Sequence, residues 1–275
     1  MVVTGSAAQV PENSASQLNI EVIPLGVIID GREYQDGVNL TPGELYQKMR
    51  SGNVEVKTTA PSVGQYYACF KKIAEKGSKE ILCITLSSKL SSDYSQAVDA
   101  ANLLKTENPD CKVVVYDSLS AAVPQGLLVI EAAQRLIAGE SLESVIEFLD
   151  SARRRAGFMA ALDSLDYLSR GGRIGKAAYL LGSALHIIPV LSLNEEGIVA
   201  PAAILRQKGK VLPTLLSTLQ KKTSGYQKIQ VAVMHADALD EAKTLQQLVQ
   251  QAFPGVDVPI EEFTPVMGAH AGPGL

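Results

Sequence analysis

The chain has no tryptophan, only three cysteines and three histidines, and few aromatics, 5% of its residues. Each scarcity removes a class of function. Without tryptophan there is little to stack nucleic-acid bases on, and a formal net charge of −4 gives no attraction to a phosphate backbone. Cys69, Cys83 and Cys111 are odd in number, two of them lie in apolar segments, and none forms a Cys-x-x-Cys pair. They read as core thiols, not as a disulfide framework or a zinc site. His186, His235 and His270 are scattered with none paired at helical spacing, so no metal site is expected. No apolar run approaches the roughly 18 residues of a membrane span. The first residues lack the basic start and apolar core of a secretory signal, so a cytoplasmic chain without stable membrane insertion is expected. The Gly-x-Gly-x-x-Gly turn of nicotinamide-binding domains is missing after the early strands, since Gly171-Gly172-Arg173 follows a helical pattern instead. The Gly-x-Ser-x-Gly elbow of α/β esterases is missing as well. No cofactor is expected.

What is present is material for a large core: 275 residues, 46% of them hydrophobic. Ile20 to Ile29 is a β-branched run closed by Asp30-Gly31 and reads as one strand. Thr41, Pro42 and Glu44 form a capping-box start for a helix to about Arg50, and Ser62 to Gln65 repeats the pattern ahead of Tyr66, Phe70 and Ile73 at helical spacing. Glu80–Leu86 and Lys112–Tyr116 are apolar runs of strand length, each followed by a serine-bearing turn and a helix, the second helix placed after Pro124-Gln125-Gly126. A further helix is expected over 141–155. Strands alternating with helices imply parallel βαβ units covered on both faces. Residues 1–157 are therefore expected to form an open parallel, Rossmann-like α/β domain. From about 158 the pattern changes. Ala160–Arg170 and Ile174–Leu185 read as helices, Ile187–Leu193 and Ile198–Ile204 as strands around Asn194–Gly197, then a helix over 210–222, a strand over 228–235, a helix over 239–253 and a strand over 258–263. A second α/β domain with a mixed sheet, 158–275, is the expectation.

Open α/β sheets bind ligands beyond the carboxyl ends of their strands. The turn Ser87-Ser88-Lys89-Leu90-Ser91-Ser92 lies there, offering hydroxyls and helix-start amides to an anion, while Ser91 or Ser92 as plain helix cap explains the same residues. Asp93 suits the helix dipole and opposes a bound anion. Thr58, Thr59 and Ser62 form a second hydroxyl turn around Pro61, and His270 stands in a glycine-rich tail that makes a poor regular element. The three stretches together suggest one small anionic head group, with the rest of the chain enclosing something apolar. A hydrolytic triad of Ser91, His270 and an aspartate is the competing reading. Arg170, Arg173 and Arg206, with Lys176, Lys208 and Lys210, concentrate positive charge in two loops of an acidic chain. They suit either solvent or an acidic or nucleotide-bearing partner.

The stretches Val22–Val38, Thr58–Ser62, Ile84–Ala97, Tyr116–Ser118 with Gly126, Leu165–Ile174, Pro189–Leu193 and Gly268–Gly274 together resemble the DegV family of bacterial fatty-acid-binding proteins over nearly the whole length. The resemblance implies two α/β domains with one long-chain fatty acid between them. Its carboxylate would meet the hydroxyls of Thr58 or Thr59 and Ser91, amides near Ser92, and His270. It also implies a carrier with no catalytic machinery, in some members the lipid-binding subunit of a separate ATP-dependent fatty acid kinase, with Arg170, Arg173 and Arg206 as docking contacts. The chain departs from the family pattern at Thr4-Gly5-Ser6 for Thr-Asp-Ser, at Leu90-Ser91-Ser92-Asp93 for Leu-Ser-Gly-Thr, and at Thr58-Thr59-Ala60-Pro61 for Thr-Ser-Gln-Pro.

Overall fold

The computed structural model describes residues 1–52, 54–182 and 187–274. Among them the strands, in chain order, are β1 (Val2–Gly5), β2 (Ile20–Ile23), β3 (Gly26–Ile29), β4 (Arg32–Gln35), β5 (Val56–Thr59), β6 (Glu80–Thr85), β7 (Lys112–Asp117), β8 (Met159–Ala161), β9 (Ile188–Leu193), β10 (Val199–Leu205), β11 (Val233–His235) and β12 (Ile260–Glu262). The helices are α1 (Glu12–Gln17), α2 (Pro42–Ser51), α3 (Val63–Glu75), α4 (Asp93–Glu107), α5 (Ala122–Ile137), α6 (Leu142–Ala152), α7 (Asp166–Arg170), α8 (Val211–Thr223), α9 (Leu239–Ala252) and α10 (Pro265–Ala271). They divide into two compact units: Met1–Leu40, Glu55–Phe158 and Leu193–Ile198 make the first, and Thr41–Val54, Met159–Ser192 and Val199–Leu275 the second.

The first unit is built on a parallel sheet in the order β2-β1-β6-β7. Alternate side chains of each strand point to opposite faces, and both faces are covered. Val2, Leu82 and Ile84 pack with Leu128, Val129 and Ala132 of α5 and Val145 and Leu149 of α6. Val3, Ile81 and Cys83 pack with Tyr66, Phe70 and Ile73 of α3 and Ala97, Ala100 and Leu104 of α4. Because β6 is buried on both faces and the edge strand β7 is at least half-buried on both, the runs Glu80–Thr85 and Lys112–Asp117 lack alternation, which is what made them legible as strands of a covered sheet. A separate antiparallel sheet, β4-β3-β5, completes the unit.

The second unit holds two smaller sheets: β10-β9-β8, with β8 and β9 antiparallel, and the parallel pair β11 and β12. Val233, Ala242, Val249 and Val258 form the core between the latter pair and α8 and α9, with Leu216, Leu219 and Leu245 packed against it. Helix α10 lies between α2 and α7. The Tyr46 hydroxyl of α2 donates to the Phe263 carbonyl at 3.3 Å, and a Cβ added at Gly268 would fall 2.5 Å from that hydroxyl. Arg50 of α2 pairs with Asp237 of the same unit.

Several expectations are corrected here. The run Ile20–Ile29 is two strands, because Pro24 has no amide to donate and the chain turns there from the parallel sheet into the antiparallel one. Thr58 and Thr59 end strand β5 and are not a turn. Helix α5 starts at Ala122, upstream of Pro124, which is tolerated in a first turn where no intrahelical amide bond is made. Ala160–Arg170 splits into β8 and the short α7. Ile174–Leu185 is a 3-10 segment over Gly175–Leu180; its expected end at Leu185, like His186, lies outside the described residues. The strand expected over 228–235 pairs only at Val233–His235. The tail, expected to be irregular, forms α10 over Pro265–Ala271, with Val266, Gly268, Ala269 and Ala271 buried.

Candidate functional site

In the first unit, β1 leads to β2 on one side while β6 and β7 lie on the other, so the strand order reverses between β1 and β6. Ligand crevices of open α/β sheets form at that point, outside the strands' carboxyl ends. The residues leaving those two ends are Gly5-Ser6 and Leu86 through Ser92. The Ser6 hydroxyl accepts from the Leu25 amide at 3.1 Å.

The serine turn is strongly ordered, and its hydroxyls are not equivalent. Ser87 is fully buried; its hydroxyl donates to the Gly197 carbonyl at 2.8 Å and accepts from the Lys89 amide, while its own amide donates to Ser120. It is structural. The Ser88 amide donates to the Asp117 carboxylate at 3.2 Å. Ser91 Oγ accepts from the Asp93 amide at 3.2 Å, an ST-turn that closes the start of α4. An oxygen accepting in this way still carries its own proton to donate. Ser92 is exposed, precedes α4, and makes no side-chain cap bond.

Asp93 is the residue whose environment the sequence did not disclose. It is fully buried, with Oδ1 accepting the Tyr66 hydroxyl at 2.6 Å and Oδ2 the Leu86 amide at 3.2 Å. Burial pushes its carboxyl up to about 6; the bonds from Tyr66 and Leu86 work against that shift, and the charge of Asp117 adds to it. Burial, followed by the charge of Asp93, drives the Tyr66 phenol in turn well above its ordinary value.

Thr58 and Thr59, as neighbours on β5, project to opposite faces of their sheet. Thr58 is half-buried opposite Val27; Thr59 is exposed, with its hydroxyl over Gly26, where a Cβ would collide with it. Ser62 is exposed and closes the capping box of α3, its hydroxyl accepting from the Gln65 amide at 3.3 Å and donating to Gln65 Oε1 at 3.1 Å. The cap accounts for that side chain.

In the second unit, His270 sits in the last turn of α10 against Gly171, the residue that ends α7. A Cβ added at Gly171 would overlap the imidazole, meeting Nδ1 and coming within 2.8 Å of Cε1. The ring is part-exposed as a whole, but Nδ1 is buried. Burial, with the positive charge of Arg173 adding to it, lowers the His270 pKa to about 4. At neutral pH the imidazole is therefore an uncharged hydrogen-bonding group, and the local positive charge is that of Arg173, whose guanidinium donates to the Gly171 carbonyl at 2.5 Å. A base held near 4 is poorly matched to hydrolysis at neutral pH, where the efficient catalytic pKa lies near 7. Arg170 and Arg206 are exposed, as are Lys176, Lys208 and Lys210. Lys208 lies 3.6 Å from Glu241. Among the described residues no group of His, Cys, Asp or Glu is placed to hold a metal, and no helix is long and apolar enough to cross a membrane. Cys69, Cys83 and Cys111 are free thiols, and burial pushes Cys69 up to about 12.

The family model described as "Uncharacterised protein, DegV family" matches residues 1–275. The chain belongs to the DegV family. A DegV domain-containing protein of Listeria innocua is 32% identical over 273 residues, covering 99% of this chain and 95% of its own. One of Halalkalibacterium halodurans is 31% identical with the same coverage. Among solved DegV structures, a fatty-acid-binding family member from Thermus thermophilus superposes with a TM-score of 0.91 at 30% identity, covering 100% of this chain and 96% of its own. A stearic-acid-binding protein from Eubacterium ventriosum matches with a TM-score of 0.90 at 28% identity, over 99% and 94% of the two chains. DegV of Bacillus subtilis, a fatty acid binding protein, matches with 0.88 at 26% identity, over 99% and 95%.

Proposed function

We propose that this DegV protein is a non-catalytic carrier that binds one long-chain fatty acid. The observation that carries the reading is the whole-length match to family members solved as fatty-acid-binding proteins, at TM-scores of 0.88 to 0.91. In this reading the carboxylate is held by the Ser91 hydroxyl, amides near Ser92, a hydroxyl of Thr58 or Thr59, and His270, while Ser62 caps the helix that follows. The proton left on Ser91 Oγ suits an anionic acceptor, and a neutral His270 donates a hydrogen bond at physiological pH. Since each buried methylene contributes about 0.8 kcal/mol, an acyl tail of about 16 carbons supplies roughly 12 kcal/mol gross. The tail thus provides most of the affinity, and the polar groups offset carboxylate desolvation. Arg170, Arg173 and Arg206 form the docking contacts for a separate ATP-dependent fatty acid kinase that acts on the bound acid.

Native mass spectrometry of gently purified protein tests the reading. A co-purified fatty acid of intact mass is expected. Ser91→Ala and His270→Ala should each weaken rebinding of palmitate by about tenfold, the loss of one charge-assisted hydrogen bond, without altering the circular dichroism spectrum. An empty protein that turns over acyl esters, and stops doing so in Ser91→Ala, would replace the carrier by a hydrolase.

A further inference from the structure

Asp93 grips the serine turn from both ends. Its side chain holds the Leu86 amide, the first beyond β6, and its own amide is held by Ser91 Oγ. Between these two bonds lies the segment that presents Ser91. Residue 5, at the carboxyl end of the neighbouring strand β1, has no side chain and lies beside the carboxylate. A Cβ built on Gly5 would stand in ordinary contact with the Asp93 carboxylate, 3.7 Å from Oδ2 and 3.8 Å from Oδ1, and would press on Leu25 Cδ1 at 2.7 Å. A longer side chain at position 5 therefore starts within reach of the Asp93 carboxylate. Among the described residues the groups facing it are the Tyr66 phenol from α3, the Cys83 thiol from β6 and the Asp117 carboxylate from β7, and none of these is a cation for it to neutralise. Its bonded partners are one hydroxyl and one backbone amide, the partners of a group that fixes a turn.

We infer that Asp93, whose carboxylate lies beside Gly5, is the positioning residue of the head-group turn, orienting Ser91 toward the ligand, and that a carboxylate supplied from position 5 can take over the role. The inference rests on the reading of Ser91 as a ligand contact.

The experiment is an exchange of the carboxylate between the two positions in the full chain, freed of lipid. Palmitate binding is read by displacement of a dansyl-labelled fatty acid, and the turn by hydrogen exchange at the Leu86 amide. Asp93→Thr should weaken palmitate by about tenfold and speed Leu86 exchange, because a buried amide loses its acceptor. Gly5→Asp alone should also weaken binding, since two carboxylates then share one site. The double variant Gly5→Asp with Asp93→Thr should return to within about threefold of wild type and protect Leu86 again, a rescue that a merely space-filling Asp93 would not show. Losses that simply add in the double variant overturn the inference while leaving the carrier reading intact. Unchanged palmitate binding in Ser91→Ala, by contrast, removes the head-group reading and with it the role assigned to the turn. Should Asp93→Thr not fold, Asp93→Ser, which also removes the carboxylate but lacks threonine's extra methyl, takes its place, with Gly5→Asp and Asp93→Ser combined as its rescue.

Discussion

Asp93 and His270 are both held away from their ordinary protonation ranges by burial, in opposite senses. The Asp93 carboxyl is raised from 3.8 to about 6, so between those values the folded chain keeps a proton that the unfolded chain has lost. The stability this lends is complete below 3.8 and is lost as pH rises through 6, a difference of about 3 kcal/mol. His270 is lowered from 6.5 to about 4, so its contribution is present above 6.5 and is lost as pH falls toward 4, again by at most about 3 kcal/mol. Between pH 4 and 6 the two slopes oppose each other. Asp93→Asn should therefore gain melting temperature over wild type at pH 7.5 and much less at pH 5. Melting curves at the two pH values check this, and an advantage independent of pH would show that the buried charge is not the cause. Neither shift was legible in the sequence, where Asp93 reads as an ordinary first-turn acid and His270 as a tail residue. Both depend on neighbours brought from elsewhere in the chain.

At the scale of elements, what was legible is what local chemistry dictates. The Thr41–Glu44 and Ser62–Gln65 boxes start α2 and α3 where their side chains can satisfy the first amides, and the apolar runs announce β6, buried on two faces, and the half-buried β7. Elements made by long-range packing were not legible. Strand β4, Arg32–Gln35, is polar and mostly exposed, with no alternation to mark it, and exists through its pairing with β3. Helix α10 contains Gly268, which reads as a breaker, yet the absent Cβ is what admits the Tyr46 ring from α2. The three hydroxyl-and-histidine stretches stand out by residue type, but Gly171, the seat of His270, lies 99 positions earlier and reads as a helix stop. Its φ of −73° is ordinary, so the glycine is there for space. Gly171→Ala should push the imidazole aside, destabilise the chain by about 1–3 kcal/mol and weaken palmitate about as much as His270→Ala does. The His270 imidazole resonances and palmitate affinity measure it; wild-type values for both would show that the ring is not seated on Gly171.

For the whole molecule, the chain does not finish one unit before starting the next. Thr41–Val54 belongs with residues from 159 onward, and the turn Leu193–Ile198 belongs with the first unit. Leu45, Tyr46 and Met49 of α2 are buried in this arrangement, Tyr46 and its neighbours beside α10. A fragment ending at Gly157 would hold α2 without α10 and would lack the turn that accepts the Ser87 hydroxyl. It should be poorly packed and prone to association, as size-exclusion chromatography and near-ultraviolet circular dichroism would show; a monodisperse fragment with a cooperative melt would contradict this. The bond from Tyr46 to Phe263 adds a clock to the same feature, since its partners are 217 residues apart. At about 5–20 residues per second of synthesis, the interval between them is on the order of 10–40 s. Throughout it α2 is out of the ribosome with the face that meets α10 uncovered, available to whatever chaperone meets it, and a chain cut before Thr264 would leave it so for good.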